Sequence, residues 1–207
     1  MITASDFRNW LSPYGVEPSD EKVTQFIKYL DLLLQWNLRM SLTSLTNARE
    51  IVQVLFGESV AAIPMLGIRG GRLADVGSGA GFPGLPMKIM VPELRITLIE
   101  PNLKKSVFLE EVPRRLGLSN VDVVRTRLDR IEIQPYRYDW VTSRALAERS
   151  EILQFCLKSL CPDGKVVLWV GEEEAGKLGK NRTWRWDSIH RIPRTNQRIV
   201  MAGKISP

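Results

Sequence analysis

The chain has little of what metal, disulfide or membrane chemistry requires. Its 207 residues include one histidine and two cysteines, which is too few soft ligands to favour a zinc site, so we predict no metal. No apolar run approaches the roughly 18 residues that cross a bilayer. Residues 1–6 lack the basic and apolar segments of a signal peptide. We therefore expect a cytoplasmic protein with reduced thiols and no membrane partner.

Acidic residues are outnumbered by basic ones. Lys and Arg total 29 against 23 for Asp and Glu, a formal net charge of +6. Between Lys177 and Lys204 there are eight basic residues and one acid, Asp187, with Trp184 and Trp186 among them. This composition is typical of a nucleic-acid contact. It is equally typical of a solvated hairpin that buries its tryptophans, and composition leaves both interpretations open.

Residues 1–70 read as a helical extension. Ser19 is a suitable cap for a helix with apolar residues at helical spacing, and Asn47 with Glu50 forms a capping-box pattern that opens a second helix. Pro64 and the glycines from Gly67 onward mark the end of that helix.

Residues 71–207 read as one α/β domain, packed with the extension as a single globular unit. Short apolar runs alternate with amphipathic stretches, which predicts a mostly parallel sheet. Two final strands with no helix between them predict a terminal antiparallel hairpin, which favours a methyltransferase over a dehydrogenase. The predicted strands are Arg72–Val76, Arg95–Glu100, Val121–Val124, Asp139–Ser143, Lys165–Val170, Thr183–Ile192 and Arg198–Ala202.

The segment from Asp75 to Gly84 reads D-x-G-x-G-x-G-x-x-G between a strand and a helix. Glycines there permit a tight turn and let a ligand approach the main chain, so Gly77 and Gly79 are candidate cofactor contacts. A dinucleotide site also contains G-x-G-x-x-G. In a dinucleotide-binding fold, however, the first glycine of G-x-G-x-x-G directly follows the strand. Here Gly77 is at that position, and the motif would begin only at Gly79, inside the turn. The loop suits a ligand that combines adenosine with an amino acid, namely S-adenosylmethionine. Glu100, at the end of the second strand, can accept hydrogen bonds from the ribose hydroxyls of that ligand.

The stretch from Asp75 to Pro86, with its Phe-Pro-Gly extension, closely resembles the signature of the small-subunit ribosomal RNA methyltransferase G family, also called glucose-inhibited division protein B. The resemblance covers nearly the whole chain. Further matching blocks run Leu34–Asn37, Met40–Thr43, Lys104–Leu109, Arg127–Asp129, Tyr138–Ala145 and Arg198–Val200.

The resemblance implies a Rossmann-like class I methyltransferase that methylates guanine N7 in small-subunit (16S) ribosomal RNA. It implies that Gly77 and Phe82 contact S-adenosylmethionine and that Leu128 and Asp129 flank its adenine. Arg144, which follows the fourth strand, would lie where cofactor and base meet. We predict it as the catalytic residue, through a contact to guanine O6 or to the cofactor carboxylate. The expected partner is small-subunit ribosomal RNA or the assembling 30S subunit, bound by a monomer.

Three positions depart from the family pattern. The family usually has Asn at Ser41, His at Leu55 and Asp at Glu58. All three lie in the helical extension, away from the cofactor loop, so we expect them to leave methyl transfer intact and to leave the details of RNA engagement open.

Methylating N7 needs no general base, because that nitrogen carries a lone pair and no proton. Positioning and exclusion of water are the main tasks. Three alternatives remain at this stage. They are a methyltransferase of the same fold acting on another RNA or a small molecule, a nicotinamide-dependent oxidoreductase, and a non-catalytic RNA-binding module. A basic surface around the cofactor mouth would favour RNA, and an enclosed apolar pocket a small substrate.

Overall fold

A computed structural model of the chain describes residues 2–144, 149–195 and 197–206, except the side chain of Arg149. Its first two helices are α1 (Ala4–Leu11) and α2 (Asp20–Met40). The side chain of Ser19 accepts a hydrogen bond from the Lys22 N–H, which confirms the predicted cap of α2.

The second predicted helix is continuous but changes its winding. It comprises α3 (Ala48–Ile51), a π-helical segment (Val52–Gly57) and α4 (Glu58–Leu66). The Asn47 side chain accepts from the Glu50 N–H at 3.1 Å, as the capping pattern predicts. Helix α4 ends at Gly67 in the left-handed conformation, with Pro64 inside its last turn.

All seven predicted strands are present, with ends that differ by up to five residues from the predicted ones. They form one sheet in the order β3-β2-β1-β4-β5-β7-β6, in which β7 is antiparallel to both β5 and β6. Strands β3, β2, β1, β4 and β5 are mutually parallel. The sheet confirms the Rossmann-like α/β class and the terminal antiparallel hairpin. The strands are β1 (Gly71–Val76), β2 (Leu94–Ile99), β3 (Val121–Val124), β4 (Tyr138–Arg144), β5 (Leu160–Gly171), β6 (Trp184–Arg191) and β7 (Arg198–Ile205).

Helices cover both faces of the sheet. Alternate strand residues enter two separate apolar clusters: Leu73 and Val167 belong to one, and Ala74 and Val166 to the other. This alternation is the period of two expected of a sheet buried on both sides. The later helices are α5 (Gly84–Met90), α6 (Leu103–Leu116), α7 (Arg149–Ser159) and α8 (Glu172–Leu178).

The N-terminal helices pack into the same apolar cluster as α5, α6 and one face of the sheet. The division into residues 1–70 and 71–207 stays a prediction. Within the described residues, no helix is both long enough and apolar enough to cross a membrane.

The sheet order fixes where a ligand can bind. Strand β1 lies between β2 and β4, so the chain leaves β1 to one side first and crosses to the other side later. In open α/β sheets the crevice at this reversal, beside the carboxyl ends of the strands, is the usual ligand site. The glycine loop, Glu100 and Arg144 all follow or end strands at this edge.

Candidate functional site

The glycine loop is tied to the end of the neighbouring strand. Gly77 has a φ of 71° and donates its N–H to the Ile99 carbonyl at 2.9 Å. The Ser78 N–H donates to the same carbonyl at 3.2 Å. Because two consecutive amides bond to the last residue of β2, the loop turns sharply out of β1 and across the edge of the sheet.

Asp75 holds the base of this loop from inside. Its side chain is fully buried, Oδ1 accepts from the Thr142 hydroxyl at 2.9 Å, and Oδ2 accepts from the Gly84 N–H at 3.1 Å. Burial raises the pKa of the Asp75 carboxyl to about 6, against the opposing effect of these hydrogen bonds. Asp75 therefore joins β1, β4 and the start of α5, and positions the loop without facing the ligand.

The glycines of the loop divide into two kinds. A Cβ on Gly84 would lie 2.8 Å from Leu98 and 2.9 Å from Asp75, and one on Gly81 would collide with Tyr29 and Leu85, so both positions need glycine for packing. Gly79 differs. It has a φ of +59°, and an added Cβ would meet nothing nearer than the Gly77 carbonyl at 3.9 Å. The loop is open at Gly79, where a ligand can approach the main chain.

Glu100 faces this open part of the loop. Its Oε2 accepts from the Gly79 N–H at 2.9 Å, and its Oε1 accepts from the Asn102 N–H at 2.9 Å. The residue is 6% exposed. Each carboxylate oxygen can accept two hydrogen bonds. Glu100 can therefore accept ribose hydroxyls while it still holds the loop, as the sequence predicts.

Phe82 lies in the loop, but its ring points into the core. The ring stacks on Tyr29 with centroids 5.4 Å apart and meets Phe56 edge-on at 5.0 Å. Its residue exposure is 7%. A cofactor contact at Phe82 stays a prediction, and this packing favours its main chain as the contacting part. The Phe82–Pro83 peptide bond is cis.

Leu128 and Asp129 follow the end of β3 in a short 3₁₀ turn, Leu128–Arg130, and neither is buried. Strand β3 pairs with β2 so that Val124 is opposite Ile99, which places both residues beyond the same edge of the sheet as the glycine loop. Leu128 also packs against the apolar cluster under α7. Their predicted role beside the adenine stays a prediction.

Arg144 ends β4 with its guanidinium directed at the N-terminal helices. Nη2 donates to Glu58 Oε2 at 2.7 Å and to the Val54 carbonyl at 2.8 Å, and Nη1 donates to the Leu55 carbonyl at 3.3 Å. Its side chain is 10% exposed. Burial lowers the pKa of Arg144, and the charge of Glu58 opposes that effect. The residues that follow, 145–148, lie outside the described part of the chain.

Two of the three departures from the family pattern are therefore beside the predicted catalytic residue. Sequence places Leu55 and Glu58 far from Arg144, yet the fold brings both into contact with its guanidinium. Their separation from Arg144 in sequence is therefore not a separation in space, and the expectation that methyl transfer is intact stays a prediction. The third departure, Ser41, ends α2 in the left-handed conformation with φ 47°, where Asn is favoured over most residues.

A basic rim lies at the mouth of the crevice. Lys104 and Lys105 open α6, and their amides bond to the capping Asn102, which is two residues from Glu100. The first turn of α6 has no acidic residue to balance them. Arg125 directly follows the end of β3 and is exposed. We call Lys104, Lys105 and Arg125 the basic rim.

The tryptophans of the basic C-terminal stretch are packed. Trp184 is 4% exposed, and the Trp186 indole donates to the Leu178 carbonyl at 2.9 Å. Their rings lie 5.9 Å apart. The hairpin thus packs its two tryptophans on one face of β6, and Arg185 is exposed on the other. Stacking of bases on these two tryptophans is not supported.

The residues present fit S-adenosylmethionine. A main-chain turn open at Gly79 and a buried carboxylate within hydrogen-bond distance of it suit a ligand with an amino acid at one end and a ribose at the other. In the described ranges, no three His, Cys, Asp or Glu side chains form a group that could hold a metal ion.

Two solved methyltransferase structures share this fold at low sequence identity. One is a SAM-dependent methyltransferase from Aquifex aeolicus, with a TM-score of 0.64 and 16% identity over 76% of this chain and 93% of that one. Another is the ribosomal protein L11 methylase from Lactobacillus delbrueckii subsp. bulgaricus, with a TM-score of 0.61 and 17% identity over 75% of this chain and 80% of that one. These likenesses confirm the fold.

Sequence comparison is more specific. The ribosomal RNA small subunit methyltransferase G of Acetivibrio thermocellus is 38% identical over 149 residues, 70% of this chain and 62% of that protein. The protein of the same name from Roseiflexus castenholzii is 41% identical over 164 residues, 74% of this chain and 70% of that protein. The match to the Acetivibrio protein thus spans less than two thirds of its length. The family model for rRNA small subunit methyltransferase G matches residues 22–190. With most of its sheet and its whole glycine loop inside that match, the chain belongs to the rRNA small subunit methyltransferase G family.

Proposed function

We propose that this chain transfers a methyl group from S-adenosylmethionine to N7 of a guanine in small-subunit (16S) ribosomal RNA. The observation that carries the proposal is the crevice at the carboxyl edge of the sheet, around the end of β1. There the open turn at Gly79, the carboxylate of Glu100 and the basic rim lie at one edge of a sheet in a member of this family.

The cofactor supplies an activated methyl group on a sulfonium. Glu100 binds the ribose hydroxyls, and the main chain around Gly79 receives the amino-acid end. Arg144 contacts either the guanine O6 or the cofactor carboxylate. It does not donate to O6 and N7 together, as arginine often does with guanine. A hydrogen bond to N7 would occupy the lone pair that has to accept the methyl group. These side chains orient and desolvate the reactants.

No proton has to leave guanine N7 before it is methylated, so the reaction requires no general base. The one histidine, His190, lies on β6 at the far edge of the sheet. Because β6 is four strands away from β1 in the sheet, His190 is far from the glycine loop. This placement is consistent with a reaction that depends on the orientation of the cofactor and the guanine and not on a histidine base.

A small-molecule substrate or another RNA is the alternative within the same fold. The basic rim favours RNA, because lysines at a helix start are unfavourable to the helix dipole and a phosphate would balance them. We further propose that the protein acts as a monomer in the cytoplasm, on naked RNA or on the assembling 30S subunit.

The test is transfer of labelled methyl groups from S-adenosylmethionine to small ribosomal subunits and to their naked RNA, both from a strain that lacks this protein. We expect label as N7-methylguanine at one position, and mapping identifies the nucleotide. Large-subunit RNA serves as the matched control. Tight cofactor binding without incorporation into either form would move the target to another RNA or a small molecule.

A further inference from the structure

Glu58 is a buried carboxylate held between two arginines. Its side chain is 2% exposed, and its Oε2 accepts from Arg144 Nη2 and from Arg198 Nη1, each at 2.7 Å. Arg198 is half exposed at 49%, whereas the side chain of Arg144 is 10% exposed. A buried carboxylate without a partner is strongly disfavoured, so the contact with Arg144 constrains both residues.

The main chain around Glu58 adds two more acceptors for the same guanidinium. The carbonyls of Val54 and Leu55 accept from Nη2 and Nη1, and both belong to the π-helical segment that ends at Gly57. A guanidinium has five N–H donors. Three are thus directed to Glu58 and the π-helical segment, and the described part of the chain provides no acceptor for Nε–H or for the second Nη1 hydrogen.

Glu58 and Arg144 are both next to Trp169, a residue of β5. The Trp169 indole donates to the Glu58 carbonyl at 2.8 Å, and Trp169 is the β5 residue in register with Arg144. On the other side, the Tyr14 ring packs so closely on Gly57 that a Cβ there would collide with it. The main chain at Glu58 is therefore held close to the end of β4, where Arg144 begins its side chain.

We propose that Glu58 is a positioning residue for Arg144, holding the guanidinium by one edge so that its remaining donors are presented to the ligand in the crevice. The inference rests on the proposed function, in which Arg144 contacts the cofactor or the guanine. Two guanidiniums around one carboxylate leave one positive charge in excess. That excess suits an electron-rich ligand atom such as a carboxylate oxygen or guanine O6.

The first test compares Glu58→Gln, Arg144→Ala and the double variant in methyl transfer to the small-subunit RNA. We expect Glu58→Gln to lower kcat/KM by about tenfold or more, through the same parameter, kcat or KM, that Arg144→Ala lowers. The double variant should be no slower than Arg144→Ala alone, because Glu58 acts through Arg144. Losses that multiply in the double variant would overturn the proposal.

Glu111→Gln is the matched control. Glu111 also accepts from two arginines, Arg114 and Arg115, but on the surface of α6. We expect this variant to keep the wild-type rate.

The second test reads the position of Arg144 without activity. In ¹⁵N spectra, the Nε–H resonance of Arg144, assigned by its loss in Arg144→Lys, should be sharp in the wild type and lost or broadened in Glu58→Gln. Glu58→Asp keeps the charge but draws the carboxylate back, so we expect an intermediate rate and a shifted resonance. If Glu58→Gln does not fold, a Glu58→Asp variant with a displaced Arg144 resonance and a full rate would still reject the proposal.

The outcomes separate this inference from the proposed function. If the wild type does not methylate the RNA, the proposed function fails while the resonance still reports the contact. If Arg144→Ala keeps full activity, the role of Arg144 fails. If Arg144→Ala is impaired and Glu58→Gln is not, the positioning role alone is wrong.

Discussion

The Thr142 hydroxyl donates to Oδ1 of Asp75 at 2.9 Å, and this bond joins β4 to β1 where the order of the sheet reverses. The other oxygen of Asp75 accepts from Gly84 at the start of α5. One buried carboxylate thereby sets the relative position of two strands and the helix that follows the glycine loop. Its ionisation affects the stability of the whole crevice.

We predict that Asp75 makes the stability of the protein depend on pH. Burial raises its pKa from an ordinary value of 3.8 to about 6 in the folded state. The folded state therefore binds the proton more tightly, and this contribution to stability is complete below pH 3.8 and lost as pH rises through about 6. Asp75→Asn removes it, so the wild type should lose about 2 kcal/mol relative to the variant between pH 4.5 and 7.5.

Urea unfolding followed by circular dichroism at several pH values across that range measures the difference. Asp31→Asn, at an exposed position of α2, is the control and should run parallel to the wild type. Thr142→Val removes a donor that favours the charged form and should steepen the dependence. Parallel curves for Asp75→Asn and the wild type would show that this carboxyl keeps its ordinary pKa.

Much of the fold can be predicted from the sequence because its signals are local. A strand buried on both faces reads as a short apolar run, and the caps at Ser19 and Asn47 act on amides within three residues. Helix α8 and the π-helical segment are not predicted. The first has seven residues, three of them acidic at its start, and is stabilised by packing on β5 and β7. The second depends on Tyr14 and on Arg144, which are distant in the chain.

Glu100 should determine cofactor affinity. Glu100→Gln replaces one acceptor oxygen by an NH₂ group, which cannot accept from the Gly79 N–H or from a ribose hydroxyl. We expect binding of S-adenosylhomocysteine, measured by calorimetry, to weaken by about tenfold or more. Glu110→Gln, at an exposed acid of α6, should bind as the wild type does. Equal affinity in Glu100→Gln would remove Glu100 from the ribose site.

Residues of the site could be predicted from the sequence only where they belong to the glycine loop or lie at the end of a strand. Gly77, Gly79 and Glu100 are of this kind, and the structure places them within hydrogen-bonding reach of one another or of the same strand end. Glu58 is not. It lies 86 residues from Arg144, and its local pattern is that of an acid at a helix start. Only the packing of the helical extension on the sheet reveals the contact.

The lysines of the basic rim should weaken folding slightly while they strengthen RNA binding. Replacing Lys104 and Lys105 by Ala removes two positive charges from the start of α6, where the helix dipole disfavours them. We expect the free energy of unfolding to rise by about 0.5 kcal/mol. The slope of log affinity for the RNA against log salt should fall by about 1.5.

Filter binding at several salt concentrations and thermal unfolding measure the two effects, and Lys28→Ala on α2 is the control. An unchanged salt slope would place the RNA elsewhere on the surface.

Two glycines with nearly the same positive φ allow binding to be separated from folding. Gly79 and Gly67 have φ values of +59° and +64°, and an added Cβ meets little at either: one carbonyl at 3.9 Å for Gly79 and nothing within 4 Å for Gly67. Substitution by Ala should therefore cost both variants a similar amount of stability, about 1 kcal/mol, because only the left-handed conformation is penalised. Gly79→Ala alone puts a methyl group on the open part of the loop, so it alone should weaken binding of S-adenosylhomocysteine. If both variants bind the ligand as the wild type does, the cofactor does not approach the main chain at Gly79, and its amino-acid end has to be placed elsewhere in the crevice.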